Sequence, residues 1–316
     1  MFIRSLIIGA CLGLTSQLAV AQNTVNLVVP FSPGGPTDQT TRLIGNELAR
    51  LTGKTVVVEN KPGAGGIIAA QYVAHAKPDG SVYMIGSPSS LVLNPGLYKN
   101  LPYDPEKDFV PVAGLTRSPL VLIVNNEVPA DNVKEMIAFA KTQKDGLVMG
   151  SPGNGTIPHI AGSYFAQRAG IELLHVPYKG ISPAVVALMS GEIQLLFDTL
   201  STSTANIEAK KVKALGIASA YRFSGMPDLP TLDEQGYPLE ASSWFGLVAP
   251  AGTPDDIVKA MNRDINAVLE QEEFRKKLVN MGSEPMLGDA ADFARFIEKE
   301  RKQWLPEIKR LNLTVD

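Results

Sequence analysis

The chain has 316 residues, a formal charge of −3, three histidines and a single cysteine. That mildly acidic balance gives no electrostatic footprint for nucleic acid or anionic lipid, and three histidines make a histidine-rich metal site a poor expectation. The length is generous for one hydrophobic core and suits two domains.

The first residues carry the pattern of an export leader. Met1-Phe2-Ile3-Arg4 is a short basic start, Leu6 to Leu14 is mostly apolar, and Ala19-Val20-Ala21 reads as a small-x-small cleavage site. The mature chain is therefore expected to begin at Gln22 in the periplasm, without its only cysteine and with a charge of −4 once Arg4 is gone. The apolar run is too short and too interrupted to span a bilayer, which takes about 20 residues. Ile8-Gly9-Ala10-Cys11 loosely resembles a lipobox, and a lipid-anchored Cys11 is the alternative.

Strand-like runs then alternate with helix-like segments, as in α/β architecture with largely parallel sheets. Val25 to Val29 is a first strand, broken at Pro30, and a helix follows from Thr37 to about Leu51. Val56 to Glu59 is a second strand, followed by a glycine-rich turn and a small-residue helix from Gly66 to Ala76. Tyr83 to Gly86 is a third, leading into Ser87-Pro88-Ser89-Ser90. Leu120 to Val124 reads as a strand crossing into a second unit. There Val133–Lys144, Ile157–Ala169 and Pro183–Ser190 are expected helices. Leu147–Met149, His175–Tyr178, Leu195–Phe197 and Ala214–Ser219 are expected strands. Trp244 to Val248 carries the chain back, and helices are expected at Pro254–Leu269, Glu272–Met281 and Ala290–Leu311. Domain I is thus expected as residues 22–123 plus 246–316, with domain II, residues 124–245, inserted. The cleft between them is the default ligand site, with Val121–Val124 and Phe245–Val248 as hinge strands.

Two glycine-rich loops precede helices and could hold an anion. In Phe31-Ser32-Pro33-Gly34-Gly35-Pro36-Thr37-Asp38 the glycine pair lets backbone N–H groups approach a ligand, and the helix adds a partial positive charge. The competing reading is an ordinary turn in which Thr37 or Asp38 serves only as a helix cap. In Gly153-Asn154-Gly155-Thr156-Ile157-Pro158-His159, Thr156 is a candidate N-cap, and Pro158 is tolerated in the first helical turn. The Thr156 hydroxyl is also expected within reach of a ligand carboxylate. His159 is a ligand contact or a structural first-turn histidine. Ser87, Ser89 and Ser90 offer hydroxyls after the third strand. Thr116, Asp198 and Thr199 sit where strands end, and Asp198 is either a cap or a receiver of a ligand ammonium or hydroxyl. No G-x-S-x-G elbow, H-E-x-x-H pair or P-loop occurs, so a periplasmic α/β hydrolase has no local support.

These residues also carry a family likeness. The run Pro30 to Asp38 is similar to the start of the substrate-binding proteins of tripartite tricarboxylate transporters, the Bug family. The resemblance continues through Val58 to Gly66, Lys77-Pro78-Asp79-Gly80 and Leu101 to Pro105. It includes Gly153 to Ala161, Val176 to Gly180, Leu229 to Leu232 and Ala249 to Pro254. It implies a two-domain, type II Venus-flytrap periplasmic binding protein without catalysis or cofactor. Such a monomer delivers a small organic carboxylate to a membrane permease; presenting it to a sensor kinase is the alternative. Its ligand contacts would map to Phe31, Pro33, Gly34, Gly35, Thr37 and Asp38, to Ser87, Ser89 and Ser90, and to Asn154, Gly155, Thr156 and His159. Tyr178, Asp198 and Thr199 are secondary carry-overs. The resemblance also implies that backbone groups, hydroxyls and water hold the carboxylate rather than arginine.

Overall fold

A computed structural model describes residues 24–315; the expected leader and Cys11 lie outside them. The first lobe opens with β1 (Thr24–Val29), α1 (Pro36–Thr52), β2 (Thr55–Asn60), α2 (Ile67–Ala74) and β3 (Val82–Gly86). β2, β1 and β3 lie side by side and parallel, because each return crosses over through a helix. α1 ends at Gly53, whose left-handed backbone closes the helix on the Ala49 carbonyl. After β3 the serine-rich segment is helical rather than a loop: a π turn over Ser89–Leu93 runs into α3 (Asn94–Leu97).

The connection between lobes is β4 (Phe109–Val124), a strand of 16 residues. Its half up to Pro119 pairs with β9 (Ser242–Pro250), and from Leu120 onwards it pairs with β7 (Leu195–Thr199) and β8 (Lys213–Ala218). Proline has no N–H to donate, so Pro119 changes partners without breaking a ladder bond. The Leu120 N–H meets the Ala241 carbonyl at 2.9 Å, tying the two crossing chains together at that point. The changeover therefore lies at 119/120 and 241/242. Val121–Val124 and Phe245–Val248, expected as hinge strands, sit inside one sheet or the other.

The second lobe contains α4 (Val133–Thr142), β5 (Leu147–Ser151), α5 (Ile157–Ala169), β6 (Leu173–Pro177), α6 (Ile181–Ser190) and α7 (Leu200–Glu208) as well as β7 and β8. Its sheet runs β8-β4-β7-β5-β6. α7 went unread in the sequence because Leu200-Ser201-Thr202-Ser203-Thr204 is poor in helix formers. The chain returns through β9 to α8 (Asp255–Leu269), α9 (Glu272–Asn280), β10 (Glu284–Pro285) and α10 (Ala290–Arg310). A capping box of Asp289 and Asp292 starts α10.

α10 also joins the lobes. Its Trp304 packs edge-on to Tyr164 of α5 at 6.4 Å, and one buried apolar cluster runs from Met84 and Leu91 through Ile297 and Trp304 to Phe165 and Leu195. Within that cluster Glu300 is 4% exposed and its carboxylate accepts from the indoles of Trp244 (2.9 Å) and Trp304 (3.2 Å). Burial raises its pKa to about 7 against the pull of those two donors.

Candidate functional site

The parallel strands of both lobes end at the same gap. β1 leads into Phe31, β3 into Ser87, β5 into the Pro152–Thr156 loop and β7 into Thr199. Between these ends lies a cavity of about 730 Å³. This is the crevice at the carboxyl ends of strands where α/β proteins take ligands.

Seven expected residues line it: Phe31, Thr37, Ser87, Ser89, Thr156, Asp198 and Thr199. Phe31 is half-buried and stands edge-on to Phe245 of β9 at 6.4 Å. Of the same loop, Pro33, Gly34, Gly35 and Asp38 are not in the lining. Asp38 works underneath the loop, accepting from the Gly34 N–H (2.9 Å), from Arg42 (3.0 Å) and from the Asn60 amide (2.9 Å). The Arg42 hydrogen bond, with the Gly34 amide and Asn60, holds its carboxyl down at about 2. Three protein donors saturate it, so it shapes the loop rather than meeting a solute.

After β3, Ser87 and Ser90 bond each other: the Ser87 N–H reaches the Ser90 oxygen at 3.1 Å, and the Ser90 N–H reaches the Ser87 oxygen at 3.4 Å. Ser90 is thereby fully buried and off the cavity, which leaves Ser87 and Ser89 on it.

The second-lobe loop departs most from expectation. Thr156 has the extended backbone of an N-cap, but its hydroxyl makes no cap bond; it donates to the Gly153 carbonyl at 2.8 Å. His159 is 5% exposed, accepts the Gly155 N–H at Nδ1 (3.2 Å) and stacks on His175 with ring centroids 3.8 Å apart. Its proton therefore sits on Nε2, and burial, reinforced by His175, lowers its pKa to about 4. Gly155 faces Leu97 of the first lobe, where an added Cβ would come within 2.9 Å. Asn154 is exposed and not in the lining, and Tyr178 turns away to give its O–H to Glu192 at 2.7 Å.

Asp198 does line the cavity, as the start of α7. It accepts from the Thr199 N–H (2.7 Å), Thr202 (2.6 Å) and Ser203 (2.5 Å), which is how so poor a helix sequence is nucleated. Burial pushes its carboxyl up while those three donors pull it down.

Sequence reasoning named Thr116 as a strand end, whereas it lies within β4, and it missed the rest of the strand-borne wall. Thr116, Ser118 and Leu120 on β4, and Ser243 and Phe245 on β9, recur at every second residue and so share a face. Had β4 been read from Phe109, that alternation would have found the three on β4. Ser118 also links the lobes, donating to the Gly282 carbonyl (2.7 Å) and accepting the Ser201 N–H (3.0 Å). Arg117, between the cavity residues, points to the other face. There its guanidinium is 3.5 Å from Glu284 and lies over the Tyr221 ring, and Tyr221 O–H donates to Glu284 at 3.0 Å.

Among the described residues, Asp198 is the one charged side chain in the lining, and no group of His, Cys, Asp and Glu is placed to hold a metal ion. The hydroxyl–imidazole pair Ser151–His175 (2.7 Å) lies off the cavity with Ser151 fully buried. The arrangement suits reversible capture by neutral donors.

The same chain is matched over residues 40–313 by the profile described as the tripartite tricarboxylate transporter family receptor. It belongs to that family. The receptor is 34% identical to a "UPF0065 protein in tcbD-tcbE intergenic region" of Pseudomonas sp. (strain P51), covering 99% of this chain and 96% of the relative. Among solved structures it is similar to an R. palustris protein with adipate, at 35% identity and TM-score 0.80 over 92% of this chain and 98% of that one. It is also similar to MatC from Rhodopseudomonas palustris with bound malate, at 33% identity and TM-score 0.75 over 90% and 98%. The fold is the two-lobed flytrap of periplasmic solute-binding proteins.

Proposed function

We propose that this receptor captures a small organic carboxylate in the periplasm, after removal of residues 1–21, and hands it to a tripartite tricarboxylate transporter permease. One observation carries the reading: a single cavity receives the C-terminal strand ends of both lobes and the first turns of α5 and α7. Helix starts and hydroxyls are neutral donors suited to a carboxylate. The adipate and malate held by the similar proteins support the same class. Domain limits at Pro119–Leu120 and Ala241–Ser242 go with this reading, a few residues before those expected, and the lobes would close by swinging about these points.

Calorimetric titration of ligand-free protein against a carboxylate panel tests it, with one site per chain expected. At a hundredfold excess over Kd the ligand should add about 2.7 kcal/mol to unfolding stability. Binding by another solute class, with every carboxylate silent, would refute the proposal.

A further inference from the structure

Resting on that carboxylate reading, we infer that the solute has an apolar body, a chain or ring, with carboxylate only at its ends. Both lobes supply apolar wall: Phe31, Leu120, Phe245 and Met281 together with Ile157 and Ile181. The Phe31–Phe245 edge-to-face pair presents ring surface that a hydroxylated body would leave poorly solvated.

Part of the polar lining is committed to the protein itself. The hydroxyl hydrogens of Thr156, Ser118 and Thr202 go to Gly153, Gly282 and Asp198 respectively. As donors they are spent, so a carboxylate head must find its hydrogen bonds elsewhere in the lining. Charge also favours a body that keeps its carboxylates apart. With Asp198 as the one charged lining residue described, no guanidinium or ammonium compensates a citrate-like cluster of carboxylates, whereas one head at each end of a body is within reach of neutral donors.

The test uses matched probes on the full mature chain. Adipate and galactarate share chain length and both carboxylates but differ by hydroxylation of every internal carbon; adipamide keeps the chain and loses the charge. We expect adipate or benzoate to bind at least tenfold tighter than galactarate, malate and citrate, and adipamide at least tenfold weaker than adipate. Galactarate, malate or citrate binding tightest would overturn the inference while leaving the carboxylate reading intact. Adipamide matching adipate, with galactarate still weak, would instead sink the carboxylate reading and keep the apolar body. Ile181→Ser, checked as folded by its melting curve, should weaken adipate and benzoate about tenfold and leave galactarate unchanged. Equal loss for all three ligands would overturn the assignment of Ile181 to body recognition.

Discussion

Glu300→Gln probes how the junction of the two lobes depends on one buried carboxyl. Glu300 lies between the indoles of Trp244, on the returning strand, and Trp304, which packs on the other lobe through Tyr164. Burial lifts its pKa from 4.5 to about 7, with Glu240 adding to the rise and Lys299 opposing it. Between those two values the folded chain keeps a proton that the unfolded chain has lost, so stability falls as pH rises through that window and levels off above it. Below pH 4.5 both states are protonated and the group contributes nothing. At about 1.4 kcal/mol per pH unit the full effect is roughly 3 kcal/mol. Glutamine keeps an acceptor for both indoles and does not titrate. Urea unfolding of wild type and variant should therefore give similar stability near pH 4.5 and an advantage of roughly 3 kcal/mol for the variant at pH 8. Taking the difference cancels other titrating groups such as Asp198, Glu284 and His159. A gap that stays constant from pH 4.5 to pH 8 would refute the reasoning.

Three further outcomes are expected. Thr156→Val loses the bond to Gly153 and should cost about 1 kcal/mol in urea unfolding, yet leave the affinity of a bound carboxylate within about threefold in calorimetry, because that donor was never available. Gly282→Ala places a Cβ 2.6 Å from the backbone of Leu200 and Ser201 at φ +68, so its melting curve should show a loss of about 2 kcal/mol or more. Tyr221→Phe removes the bond to Glu284 on the face opposite the cavity, which closure about the crossing strands would have to open. It should tighten all bound carboxylates by a common factor of about three to ten, read by titration.

Much of the site was legible as position and little of it as role. The glycine-rich turns at Phe31–Asp38 and Gly153–His159 were visible because turn chemistry is local: a glycine pair after an apolar run punctuates it whatever surrounds it. Asp38 looked like a cap or a contact, and what decided between them was Asn60 arriving from β2. His159 could not be assigned until β6 brought His175 against its ring. The hydroxyl of Thr156 had two acceptors to choose from, and the fold of the Gly153 turn chose.

The sequence by itself determined the alternation of strands and helices and the two glycine-rich turns. Each rests on periodicity and punctuation within a dozen residues, where backbone preference and solvent decide. Only the tertiary structure decided that β4 starts at Phe109 and serves two sheets, and that a helix begins at Leu200. It also brought Thr116, Ser118, Ser243 and Phe245 onto one wall. Those outcomes depend on strand partners and on the Asp198 cap, contacts between segments whose individual preferences are too weak to fix them alone.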